Sequence, residues 1–194
     1  GRPVTVLGLA RSGIALTRFL ADAGALVTAY DVRRPDQLAA AIAAIDGPGR
    51  SIRLLLGPDV DPEDAWADSD LVTSSPSINP AFPTTEPRMR EVLGALLDRR
   101  AAGDRSLPAV IWEPDLFLRL CPAATIGITG TKGKTTTSAL THAVLAADDQ
   151  HRAILGGNMG VPIVERLLEL RPDDRVVFEL SELQLPTLSR GTTV

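Results

Sequence analysis

At about 150 residues per domain, 194 residues make one large domain or two small ones. That is enough to bury a core without a disulfide or metal staple. An apolar fraction of 44% beside 23% charged residues excludes a wholly disordered chain, and a net charge of −4 speaks against general affinity for nucleic acid or an anionic membrane. The single cysteine, Cys121, excludes an internal disulfide and any cysteine-rich zinc site; in its apolar setting it reads as a small packed hydrophobe. The apolar opening Val4–Ala10 is cut by Arg11, and no run approaches the roughly twenty residues of a membrane span. The expected compartment is therefore the cytoplasm.

In chain order, Val4–Leu7 predicts a buried strand, followed by a glycine turn and a helix over about Gly13–Ala23 with Ile14, Leu16, Phe19 and Leu20 inward. Leu26–Tyr30 predicts a second strand ending at Asp31, and Pro35–Ile45 a helix with proline in its first turn. Ile52–Leu56 and Leu71–Thr73 read as short strands, and Thr84–Ala102 as mostly helical, with Met89, Val92, Leu93, Leu96 and Leu97 at helical spacing. Ala109–Ile111 closes this first unit. Alternation without hairpin turns predicts a parallel sheet covered by helices.

The alternation then restarts. Thr125–Ile128 reads as a strand, Lys134–Ala147 as a helix, Ala153–Leu155 as a strand, Pro162–Leu170 as a helix and Arg175–Leu180 as a strand, with Thr192–Val194 opening another. The expected division is residues 1–112 and 113–194. The second part is short for a complete nucleotide-binding domain, so the chain reads as a fragment.

The strongest motif is Thr129-Gly130-Thr131-Lys132-Gly133-Lys134-Thr135-Thr136, placed between a strand and a helix. Glycines let successive N–H groups face one anion, and the helix presents its positive end to it. Lys134 can reach terminal phosphate oxygens, and the Thr135 hydroxyl can ligate Mg2+. The strict phosphate-loop pattern wants a glycine where Ile128 stands, so this is a variant. Lys132 and Lys134 are the only lysines of a chain whose other cations are all arginine, which marks them as positions suited to a compact ammonium. Glu179, at the end of the apolar Val176–Phe178, stands where a nucleotide-bound Mg2+ needs an oxygen ligand.

In the first unit, Gly8-Leu9-Ala10-Arg11-Ser12-Gly13 is a degenerate dinucleotide-type fingerprint in which Ala10 replaces the middle glycine. Its helix start and the Ser12 hydroxyl suit a diphosphate, and Asp31 suits a sugar or a base edge; a packing-driven glycine turn is the alternative. Thr73–Pro80 and Gly156–Gly160 are further loops that could line a ligand cleft, Asn158 through its amide. His142 reads as a helix-surface residue and His151 as part of a polar turn. Neither forms a triad or a metal cluster.

Taken in order, the Gly-Leu-Ala-Arg-Ser-Gly turn, Ser75-Pro76, the phosphate loop, Gly157-Asn158-Met159-Gly160 and Glu179-Leu180-Ser181-Glu182-Leu183-Gln184-Leu185 resemble the Mur ligases of peptidoglycan synthesis, and within them the D-glutamate-adding branch. The resemblance implies a Rossmann-like N-terminal domain with a parallel sheet, followed by the first part of a P-loop α/β ATPase domain. It implies an ATP-dependent acid–amino-acid ligase using Mg2+, with UDP-N-acetylmuramoyl-L-alanine and D-glutamate as partners and a monomeric state. Arg11 and Ser12 would then contact the substrate diphosphate, Asp31, Val32 and Arg33 its uracil, and Ser75 would line the same cleft. Gly130, Thr131, Lys132, Gly133, Lys134, Thr135 and Thr136 would hold ATP, with Thr135 and Glu179 on the metal and Lys134 and Glu179 as the catalytic pair. Asn158 and Ser181 would lie between nucleotide and muramoyl substrate. The usual Ser-Pro-Gly is Ser75-Pro76-Ser77 here, and Glu182 and Leu183 replace the usual Ser-Phe. A histidine, a carbamylated lysine and a third domain, which the resemblance places later in the polypeptide, fall outside this sequence, and the fragment alone is expected to be inactive. Two other readings stay open. One is another Mur or folylpolyglutamate-type ligase. The other is a non-catalytic NAD- or nucleotide-binding module, which Asp31 suits and Ala10 does not.

Overall fold

The computed structural model describes residues 1–157 and 162–188, and the chain divides into two compact units, Gly1–Glu113 and Pro114–Val194. Asn158 and the stretch Thr192–Val194 lie outside the described residues.

In the first unit, β1 (Pro3–Leu7), α1 (Arg11–Asp22), β2 (Leu26–Asp31), α2 (Ala39–Ile45), β3 (Ile52–Leu56), α3 (Pro62–Trp66), β4 (Leu71–Ser74), α4 (Pro87–Ala101) and β5 (Ala109–Trp112) follow one another. The sheet order is β3-β2-β1-β4-β5, and every pairing is parallel. Register places Leu7 opposite both Tyr30 and Ser74, Asp31 opposite Leu56 and Ser74 opposite Trp112, so five strand ends meet on one edge. Both faces are covered. Leu9, Ala29, Leu38, Ala41 and Ile45 form the core beneath α2, while Leu7, Tyr30, Trp66, Val72, Met89, Val92, Leu93 and Leu96 pack under α3 and α4. Neighbouring Ala29 and Tyr30 go to opposite cores, as the two-residue repeat of a strand requires.

Two elements of this unit differ from the sequence expectation. The helix expected over Pro35–Ile45 begins as a 3₁₀ turn, Pro35–Leu38, before α2. Helix α3 is too short to show a 3.6-residue repeat; it is set by Asp61, which accepts from the Glu63 amide at 3.0 Å, and by Pro62 in its first turn.

The second unit carries α5 (Glu113–Leu120), which starts at the junction, then β6 (Ala124–Ile128), α6 (Lys134–Ala146), β7 (Ala153–Gly157) and β8 (Arg175–Glu179). The described sheet is parallel, in the order β6-β8-β7. Helix α5 was not expected; Phe117 explains it, since its ring meets Phe178 of β8 edge-on with centroids 5.0 Å apart, both fully buried. The segment expected as an α-helix after Pro162 is a 3₁₀ stretch, Ile163–Glu169, which seats Ile163 against the bare backbone of Gly156. At the base of the sheet Arg152 forks onto the buried Asp174 at 3.0 and 2.7 Å.

Candidate functional site

In the first unit the edge where the strands end holds the candidate residues. The chain leaves β1 through Gly8, whose φ of +81° is open to glycine and whose missing side chain leaves room for Ile78. A Cβ on Gly13 would fall on the Gly8 carbonyl oxygen, so Gly13 lets α1 start hard against the turn. Ala10, in extended conformation before α1, offers no side-chain cap, and the first backbone bond into the helix is Ile14 N–H to Ala10 O at 2.9 Å. The opening amides of α1 precede its first intrahelical bond, the arrangement that takes an anion. The strand order reverses between β1 and β4, so this turn lies on one side of the topological switch and Ser75 on the other.

Asp31 is buried, and its two oxygens are already used. Oδ2 accepts from Leu9 N at 2.7 Å and an Arg33 guanidinium nitrogen at 2.7 Å; Oδ1 accepts from Arg33 N and Nε, both at 2.9 Å. Burial pushes this carboxyl up, but the Arg33 guanidinium and the Leu9 and Arg33 amides outweigh it and hold it below its usual range. The carboxylate thus pins the β1 turn to β2, and Arg33 forms its outer lid. Beside it a solvent-open cleft of about 80 Å3 is lined by Gly8, Tyr30, Asp31, Val32, Ile78, Thr85, Glu86 and Met89. Glu86 caps α4 from within that cleft, accepting from Arg88 N and Met89 N at 2.9 and 2.8 Å. Ser75 is half-buried and shares a 3.0 Å hydroxyl contact with Ser77.

Sequence reasoning missed Ser74, whose hydroxyl donates to the Leu7 carbonyl at 2.9 Å and ties β4 to β1 at the switch. It also missed Glu113, 3% exposed at the end of β5, whose burial pushes the carboxyl up to about 7 against the pull of Arg11. A charged residue closing an apolar strand was the available signal.

In the second unit, Ile128 pairs with Glu179, and the chain passes from β6 into the exposed loop Thr129–Gly133. Gly130 and Gly133 have φ of +149° and +76°. The first backbone bond into α6 is Thr137 N–H to Gly133 O at 2.9 Å. Among the described residues no backbone carbonyl accepts from the amides of Gly130, Thr131, Lys132 or Gly133, and the opening amides of α6 at Lys134, Thr135 and Thr136 have no intrahelical acceptor. Lys134 folds back so that Nζ donates to Gly130 O at 2.7 Å. Thr135 and Thr136 are exposed.

Glu179 is 3% exposed at the end of the central strand β8, flanked by Ile128 and Gly157. A Cβ on Gly157 would strike the Glu179 carbonyl oxygen, which accounts for glycine there. Ser181 opens a turn closed by Gln184, whose buried amide oxygen accepts from Ser181 N at 2.7 Å. Gln184 is therefore the residue that shapes this turn, a role its place in the motif did not reveal. Thr135 and Glu179 supply hard oxygen donors beside a loop of unbonded amides, a donor set that fits Mg2+ with a phosphate. Among the described residues there is no group of three or more acidic, histidine or cysteine side chains able to hold a metal alone. His142 has Nε2 3.3 Å from Ala153 O, and His151 Nδ1 lies 2.7 Å from Asp148.

No protein-family model matches the chain. Individual relatives do. The UDP-N-acetylmuramoylalanine–D-glutamate ligase of Anaeromyxobacter dehalogenans is 38% identical over 192 residues, covering 98% of this chain and 37% of the relative. The ligase of the same name from Geobacter metallireducens is 36% identical over 189 residues, with 97% and 37% covered. Over nearly its whole length the chain is similar to a segment of these Mur ligases. It spans about 37% of the length of the curated relatives it matches. Among solved structures, UDP-N-acetylmuramate-alanine ligase from Thermotoga maritima is 21% identical with a TM-score of 0.48, covering 94% of this chain and 37% of that one. The described residues have the mixed α/β architecture with parallel sheets read from the sequence. Among the described residues no helix is long and apolar enough to cross a membrane.

Proposed function

We propose that the chain carries the substrate-nucleotide unit and the phosphate loop of an ATP-dependent, cytoplasmic UDP-N-acetylmuramoylalanine–D-glutamate ligase. The observation that carries this reading is the row of amides from Gly130 to Thr136, between β6 and α6, from which no backbone carbonyl accepts among the described residues, in a chain 31–38% identical to ligases of that name. In that reaction a carboxylate must be joined to an amine, and its own leaving group would be oxide. Transfer of the terminal phosphoryl of ATP to the carboxylate makes an acyl phosphate; the amine then attacks, loses its proton and expels phosphate.

The residues divide this work. The Gly130–Thr136 amides and Lys134 hold the phosphates and offset charge on the phosphoryl group in transfer. Thr135 and Glu179 would hold Mg2+, which supplies further positive charge at those oxygens when bound. The α1 amides with Arg11 and Ser12 hold the diphosphate of UDP-N-acetylmuramoyl-L-alanine, and the cleft beside Asp31, Val32 and Arg33 takes its uracil, with Ser75 across the switch. For Asp31 to accept from the uracil, Arg33 must first release one of its oxygens. Ser181 would lie between the nucleotide and the muramoyl substrate, as would Asn158, which is outside the described residues.

Calorimetric titration of the chain with UDP-N-acetylmuramoyl-L-alanine tests the reading. Saturable binding in competition with UDP is expected. Binding of NAD or a folate in place of UDP would overturn it.

A further inference from the structure

Lys134 has a second partner besides the Gly130 carbonyl: the carboxylate of Glu182 stands 3.9 Å from Nζ. The lysine is largely covered, 16% exposed at its side chain, whereas Glu182 is 79% exposed. Glu182 is nevertheless held in place. The backbone before it is tied to β6 by Leu180 N–H to Ile128 O at 2.8 Å, and its turn is closed by Gln184, bonded to Ser181 through both side chain and backbone. The charge of Lys134 is therefore partly offset by Glu182. A bare triphosphate of about four negative charges would meet an ammonium already shared with the Glu182 carboxylate. A metal-complexed triphosphate carries two fewer charges and is repelled less.

Resting on the ATP reading of this loop, we propose that Glu182 is a specificity-determining residue. It pairs with Lys134 when no nucleotide is present and selects the metal-complexed triphosphate over the free one. Because the carboxylate is exposed and screened, the effect is modest. Removing its charge tightens metal-free binding by about three- to tenfold, and the effect fades as salt is added.

The test is calorimetric titration of the 194-residue chain and its Glu182→Gln variant with ATP, in EDTA and in excess Mg2+, at low and high salt. The expected result is tighter ATP binding by Glu182→Gln in EDTA, less than about a twofold change in Mg2+, and convergence of the two proteins at high salt. Equal affinities in EDTA, while the parent chain binds ATP, would overturn the proposal and leave the ATP reading standing. Weaker binding of the variant in Mg2+ would also overturn it, since the carboxylate would then be holding the metal. If neither protein binds ATP under any condition, the ATP reading fails and the proposal falls with it. Glu182→Ala, which also removes the side-chain bulk, should behave as Glu182→Gln does.

Discussion

The two units are built from the same alternation of strand and helix, yet they bury themselves differently. The five-stranded sheet of the first is covered on both faces, and Val6, Leu7, Leu16, Ala29 and Val72 are fully enclosed. Among the described strands of the second, β8 is buried along nearly its whole length, while β6 exposes Ala124, Ile126 and Gly127. Helix α6 leaves Leu140 63% and Val144 72% exposed, and of its described residues only Ser138 is buried. Hydrophobic stabilisation scales with the apolar area removed from water, so within this chain, which spans about 37% of its relatives' length, the first unit encloses the larger core. A ligand-gripping turn depends on local backbone geometry, which glycines at positive φ and a strand–helix junction supply without a closed core.

Matched leucines test that contrast. Leu93→Ala in α4, from a site 1% exposed, should cost about 2–5 kcal/mol in denaturant unfolding of the first unit. Asp31→Asn should cost about 1–3 kcal/mol, since it removes a charge that four hydrogen bonds satisfy and leaves the Arg33 guanidinium without its partner. The native Asp31 carboxyl is held low, so its contribution is present above the ordinary aspartate range and is lost as pH falls through it; Asp31→Asn should flatten that acid limb.

Glu113 works in the opposite sense. Its carboxyl is raised from 4.5 to about 7, so the stability it permits is full below pH 4.5 and is lost as pH rises to about 7. Glu113→Gln should therefore gain about 1–3 kcal/mol over the parent at pH 8 and little at pH 4.5, measured by thermal unfolding at both. The smallest effect belongs to Leu140→Ala in α6, within about 0.5 kcal/mol. A cost there equal to that of Leu93→Ala would show that Leu140 is enclosed in this chain.

The sequence announces what is local and hides what is tertiary. Strand β1, the glycine turn, β2 and the loop into α6 were legible because hydrophobic runs and glycines at fixed spacing state them directly. Helix α3 escaped because five residues show no period, and α5 because its reason is Phe117 meeting Phe178 more than sixty positions away. The stretch after Pro162 has apolar spacing that suits either helix type, and its tighter winding is seen only beside Gly156. For the candidate site, residue types and loop positions could be read, but their engagements could not. Nothing in the spacing of Asp31 and Arg33 says that one already satisfies the other, and nothing around Lys134 says that Glu182 shares it.

The most direct measurement is amide chemical-shift mapping of the isotopically labelled chain on adding ATP with Mg2+, followed by UDP-N-acetylmuramoyl-L-alanine. The amides of Gly130, Gly133, Lys134 and Thr135 should move with the first ligand, and those of Gly8, Arg11, Ser12 and Val32 with the second. If ATP leaves the Gly130–Thr135 amides unmoved, or shifts only residues of the first unit, the loop does not grip a triphosphate and the account is contradicted.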